Sequence, residues 1–208
     1  MAAHPDETGR ATGVARGIVT EQPTRFGLQR WLQERLGRSG EAIYAAGAGA
    51  VAIAISGLAA HLLRQPLLFP SLGPTVFLFF ETPLTPQASP RNTLIGHGVA
   101  LLAGYVSLAI FGVLAAPSVL ESGVTIPYIG AAAISILITM ALLIPLSSPH
   151  PPAGATTLIV SLGFLTTPAQ LAAMAAGVIL LTVVGWLMNR LLGVPVPLWA
   201  AEARPEHA

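Results

Sequence analysis

Pro70-Ser71-Leu72-Gly73-Pro74-Thr75 and, later in the chain, Pro151-Pro152-Ala153-Gly154-Ala155-Thr156 share the pattern P-x-x-G-x-T, and they decide how this chain folds. Each lies in an apolar run that prolines interrupt, because proline removes an amide donor and blocks helix continuation. The first broken segment covers 66–80 and the second 149–165. Around them lie four uninterrupted apolar segments, 42–63, 94–116, 127–146 and 170–192. Each has about the 20 residues a helix needs to cross the hydrocarbon core. Non-helical backbone at that depth survives only where protein or a watery cavity satisfies it. The broken segments are therefore where function is expected.

Composition sets the solvent. Of the 208 residues 53% are hydrophobic and 9% charged, against roughly 25% charged in soluble domains. Between residues 42 and 200 the charges are Arg64, Glu81, Arg91, Glu121 and Arg190. A soluble fold cannot cover its surface with so few, so a lipid bilayer is the expected surrounding. A net charge of +1 gives no case for nucleic acid. The lack of cysteine excludes disulfides and thiolate chemistry. The chain ahead of Ala42 holds no apolar stretch, so no cleavable signal peptide is expected. Residues 1–22 read as disordered and 25–36 as an amphipathic helix, with Leu28, Trp31, Leu32 and Leu36 at helical spacing. That helix suits either the membrane interface or packing on the rest of the protein.

A shift that sets Pro70 on Pro151 overlays the chain on itself without a gap. Gly96, Gly104 and Gly112-Val113 land on Gly177, Gly185 and Gly193-Val194, Leu84-Thr85 lands on Leu165-Thr166, and Tyr105 meets Trp186. The expected fold is all-α and polytopic: two repeats of helix, broken helix, helix, with four long transmembrane helices and two Pro/Gly-broken half-helices. The units are a tail at 1–40, membrane repeats at 41–122 and 123–199, and a second tail at 200–208. Six arginines precede the first long segment, which places the N-terminus in the cytoplasm. If the broken segments cross, Arg91 faces the cytoplasm and the acidic 117–126 loop lies outside. That gives an inverted repeat with both termini cytoplasmic. Re-entrant segments are the alternative.

The half-helices are expected at about 75–80 and 154–165. Under the inverted arrangement their N-termini meet near the midplane, each with unpaired amides and about half a positive charge. Such a pair suits a small anion. Gly73 and Gly154 would admit close approach of the backbone, and Ser71, Thr75, Thr156 and Thr157 supply hydroxyl donors. His150 is a candidate protonatable gate, and His97, in the third crossing, a candidate by its depth. Arg64, Glu81 and Arg91 are candidate entrance residues, with an Arg91–Glu81 pair the structural reading. Asn92 is a candidate helix cap, and Gly47, Gly96, Gly104, Gly177 and Gly185 candidate close helix contacts. No phosphate-binding loop, zinc-binding histidine spacing or nucleophile elbow is present. An enzyme is therefore not expected, and neither a metal nor another cofactor is called for.

His150-Pro151-Pro152-Ala153-Gly154-Ala155 resembles the signature of the HPP family of integral membrane proteins. Pro70 to Thr75 resembles a second motif of that family, and Ser89-Pro90-Arg91-Asn92 with Gly96-His97 a third. The resemblance covers about residues 40–195. It implies a membrane protein commonly described with four spanning helices, and some members are implicated in nitrite transport. The expected function is a channel or transporter for a small inorganic anion, nitrite foremost, in a bacterial inner membrane and as a homo-oligomer. The solute site would include Pro70, Ser71, Gly73, Thr75, His150, Pro151, Pro152, Gly154, Thr156 and Thr157. Some family members carry a fused regulatory domain. That leaves a second reading open, a sensor or scaffold subunit, with an intramembrane metal enzyme third.

Overall fold

A computed structural model describes residues 27–201. The expected disorder of 1–22 and most of the 200–208 tail lie outside those residues. Among the described residues all regular structure is helical: α1 (Leu28–Leu36), α2 (Arg38–Leu63), α3 (Leu72–Glu81), α4 (Pro90–Ile110), α5 (Val119–Ser122), α6 (Ile126–Leu143), α7 (Pro152–Ser161) and α8 (Pro168–Leu191), with a 3-10 turn at Pro86–Ala88 before α4. By length and apolarity α2, α4, α6 and α8 can each cross a membrane. They match the four uninterrupted segments. Their outward faces carry large apolar side chains such as Leu62, Leu102, Ile110, Ile129, Leu137 and Leu191, as lipid-facing helices do.

The half-helices start earlier than expected. α3 begins at Leu72 rather than near Thr75, because Pro74 falls in the first turn, where amides lack intrahelical partners anyway. α7 begins at Pro152 in its first position, a place proline favours. It ends at Ser161, four residues short of the expected Leu165. Gly163 has φ +82°, and a Cβ there would stand 2.9 Å from the Tyr128 hydroxyl. The chain turns there because glycine alone tolerates both constraints.

Two apolar cores form among the described residues. One joins α2, α3 and α8 through Tyr44, Leu72, Phe79, Phe80 and Leu181. The other joins α4, α6 and α7 through Leu101, Leu108, Tyr128 and Val160, with Met174 of α8. Four of the expected glycine contacts hold. A Cβ on Gly104 would meet Val160, on Gly177 the Leu67 backbone, on Gly185 the Phe79 ring and on Gly96 His150. Gly47 does not belong with them, since a Cβ there meets nothing within 4 Å.

Hydrogen bonds between backbone ends gather the elements at one face. The Leu28 amide donates to Leu192 O at 3.1 Å, and the Arg91 amide to Trp199 O at 3.0 Å. At the other face the Val119 amide donates to Leu162 O at 3.2 Å. α1 folds back on α2 across Gly37, and Gly40 lies against the Leu32 backbone. Leu28, Trp31 and Leu36 of α1 stay exposed, and the Arg35 guanidinium stacks 4.8 Å from the Trp31 ring centre. So α1 packs on the protein and still presents an apolar, basic surface.

A polar latch ties the first core together. Asn189 of α8 accepts from the Tyr44 hydroxyl at 2.9 Å and donates to Phe79 O at 2.9 Å. All three residues are buried. Asn189→Leu is expected to leave the Tyr44 hydroxyl and the Phe79 carbonyl unpaired, costing about 1–3 kcal/mol. Thermal unfolding in detergent would show this as a lowered midpoint.

Candidate functional site

The three sequence motifs converge on one imidazole. His97 lies seven residues past Pro90, about 10 Å along α4. Its Nδ1 is 2.6 Å from Thr156 Oγ1 on α7. Its Nε2 is 3.1 Å from Thr75 Oγ1 on α3. Thr75 and Thr156 are the two threonines of the P-x-x-G-x-T patterns, so each half-helix reaches an opposite edge of the same ring. His97 Nε2 is also 3.2 Å from His150 Nε2, and the two rings meet edge to face. His150 Nδ1 is 2.8 Å from the backbone carbonyl of Gln87.

The direction of each bond follows from Gln87. A carbonyl only accepts, so His150 Nδ1 carries the hydrogen. In a neutral ring Nε2 then holds the lone pair and accepts from His97 Nε2–H. His97 Nδ1 is left as an acceptor for the Thr156 hydroxyl. Thr75 donates to Ser71 O at 3.3 Å and can accept a share of the His97 Nε2–H. Both rings therefore have every nitrogen satisfied while neutral. Thr75, His97, His150 and Thr156 are each at most 3% exposed, so the junction is closed.

The amides expected to bind a ligand are already used. Leu72 and Gly73 donate to Phe69 O and Pro70 O, and Ala153 and Gly154 to His150 O and Pro151 O. Pro74 and Pro152 have no amide hydrogen to give. What the half-helices present at the junction is side-chain chemistry. Close backbone approach at the two motif glycines is also absent among the described residues: a Cβ on Gly73 or Gly154 would meet none of their atoms within 4 Å.

The other expected residues divide by position. Ser71 is fully buried, and among the described residues its hydroxyl has no hydrogen-bond partner. Thr157 turns to α6, accepting from Thr139 Oγ1 at 2.9 Å while donating to Ala153 O. Pro70 and Pro151 are exposed at the ends of their turns, and Pro152 is buried. Arg91 donates to Leu146 O at 3.0 Å and Ser147 O at 3.2 Å rather than to Glu81. It clamps the loop before His150 onto the first turn of α4. Glu81 is exposed at the end of α3. Arg64 is exposed with φ +53° at the end of α2, where it borders a surface cleft with His61 and Gln65. Neither reaches the paired imidazoles. Asn92 is not the cap of α4; Ser89 Oγ accepts from the Asn92 amide at 3.3 Å. Among the described residues no three His, Cys, Asp or Glu side chains gather as a metal site.

The sequence did not point to Gln87, whose contribution is a backbone carbonyl, nor to Thr139. Polar residues at helical spacing toward a neighbouring half-helix are the only signal for the latter.

Searches of curated proteins and of solved structures return no match to this chain. A family model described as the HPP transmembrane region matches residues 35–197, a span that includes all of α2 to α8 and the three motifs. The chain belongs to the HPP transmembrane-region family and is a membrane protein of helical architecture.

Proposed function

We propose that the protein passes a small inorganic anion, nitrite foremost, across the membrane through the junction of α3 and α7. The observation that carries this reading is the pair Thr75 and Thr156, one from each half-helix, hydrogen-bonded to opposite nitrogens of His97. Thr75 and Thr156 lie in the N-terminal halves of α3 and α7, the positive half of each helix dipole. Among the described residues no carboxylate bonds to either imidazole. One turn before Thr75, Ser71 has a buried hydroxyl with no hydrogen-bond partner among the described residues. These groups favour an anion and disfavour a cation.

The architecture that goes with this is an inverted repeat. Support comes from element bounds. With Pro70 set on Pro151, α3 (72–81) falls on α7 (152–161) to within one residue, and the last residue of α4, Ile110, falls on the last of α8, Leu191. Gly112 falls on Gly193, and both turns have positive φ. In support, Tyr44 near the start of α2 bonds Asn189 near the end of α8, and Arg91 at the start of α4 bonds the loop after α6, as oppositely directed equivalent helices would require. The face of these contacts also holds Arg30, Arg35, Arg38, Arg91 and Arg190, against Arg64 at the other. It is therefore assigned to the cytoplasm.

Purified protein in liposomes is expected to take up nitrite, nitrate or formate at least tenfold faster than protein-free vesicles. Uptake of none of them would sink the proposal. Gly73→Ala and Gly154→Ala give opposite signs in two assays. Alanine favours a helix by about 0.5–1 kcal/mol over glycine, and nothing obstructs the added methyl, so the unfolding midpoint is expected to hold or rise. Uptake is expected to fall, because the proposed solute path passes the space at these two glycines. Unchanged uptake in both variants would remove that space from the solute path. The closed junction favours one other reading, a non-transporting sensor subunit, for which no variant would alter uptake.

A further inference from the structure

Thr156, His97, His150 and the Gln87 carbonyl form one unbroken chain of hydrogen bonds, at 2.6, 3.2 and 2.8 Å. It is saturated with both rings neutral, and it has one place where a further proton fits without breaking a bond. That place is His97 Nδ1. If it gains a hydrogen, the Thr156 hydroxyl turns from donor to acceptor and the contact survives. The His97 Nε2 hydrogen can then pass to His150 Nε2. His97 returns to neutral with its hydrogen on Nδ1, and His150 becomes the cation with Nδ1–H still on Gln87. Loss of that hydrogen restores a neutral ring. Only N–H bonds form and break, and no electrons are exchanged.

Among the described residues the junction offers no other charged group to balance an anion. The half-helix amides are spent on backbone carbonyls. α3, α7 and the Pro86–Ala88 turn bring to the two rings Thr75, Thr156 and the Gln87 carbonyl. The charge on α4 itself, Arg91, is directed at Leu146, Ser147 and Asn92. Glu81 stands exposed at the far end of α3. A lone anion at this depth is costly, and so is a lone imidazolium, whereas the two together are far less so.

We infer that the His97–His150 pair takes up one proton with each anion, so that the protein moves a monovalent anion and a proton as an electrically neutral couple. This rests on the anion reading above and specifies its driving force.

The test uses wild-type protein in liposomes with a pH-reporting dye inside and the membrane potential set by a potassium gradient and ionophore. Nitrate is the first probe, because its conjugate acid is strong and does not leak at neutral pH; nitrite and formate follow. The accumulation ratio is expected to rise tenfold per unit of imposed pH difference, with one proton entering per anion. It is expected to ignore the potential. A lone monovalent anion would instead shift about 50-fold per 100 mV, and that result without internal acidification overturns the coupling while leaving anion transport standing. Movement of none of the three anions overturns both. His150→Gln keeps a hydrogen-bonding group that cannot hold the charge, and it is expected to lose pH-driven accumulation. If that variant still accumulates nitrate tenfold per pH unit, the proton does not travel on this pair. Should it not fold, the wild-type stoichiometry alone decides.

Discussion

Thr156→Val is expected to slow anion uptake at least tenfold and to lower stability by about 1–2 kcal/mol, the order of cost of a buried acceptor left without a donor. Valine matches threonine in shape, so packing is preserved and the loss is the hydroxyl. Among the described residues Thr156 Oγ1 is the one group bonded to His97 Nδ1, at 2.6 Å. Thr75→Val removes the equivalent hydroxyl from the other half-helix with a smaller effect. His97 Nε2–H keeps His150 as its acceptor at 3.2 Å, and Thr75's own hydrogen goes to Ser71 O. Uptake and unfolding midpoints of the two variants check the order. If Thr75→Val is the more damaging, the donor directions derived from the Gln87 carbonyl are wrong.

Gly96→Ala should abolish uptake while costing about 1–3 kcal/mol, the usual penalty for a forced extra methyl in a packed site. The new Cβ would stand 2.8 Å from His150 Cβ and 3.1 Å from its Cδ2. That side chain cannot swing aside freely, since its ring is held by Gln87 O and by His97. Relief comes from moving the ring or spreading α4 from α7, and either breaks the contact between the imidazoles. Gly98→Ala is the control on the same helix. A Cβ there meets nothing within 4 Å, so the substitution is expected to leave uptake unchanged and to stabilise by up to about 1 kcal/mol. Equal uptake in the two variants would mean that the position of His150 does not matter.

Much of this is legible in the residues. Hydrophobic run length places α2, α4, α6 and α8, because a bilayer imposes one length on any spanning helix. The two P-x-x-G-x-T patterns place α3 and α7, since proline fixes where a helix can begin. His97 and His150 stand out as ionisable groups in apolar surroundings, but their meeting is not readable, because it depends on how α4 packs on α7. Other details fail for local reasons. Helix geometry alone leaves the first-turn amides of the half-helices free, whereas the preceding turns claim them through Phe69, Pro70, His150 and Pro151 carbonyls. Charge alone pairs Arg91 with Glu81, yet two carbonyls at Leu146 and Ser147 lie within its reach. Gly47 and Gly96 look alike in sequence. Only the second faces a neighbouring side chain, and glycine spacing does not say which side of a helix is covered.

The most direct measurement is a difference map between crystals of the protein grown with and without nitrite. The expected result is nitrite-dependent density in contact with His97 and flanked by Gly73 and Gly154, with the His150 ring displaced. An unchanged hydrogen-bonded junction, with nitrite-dependent density only at the surface, would contradict a solute site between the half-helices.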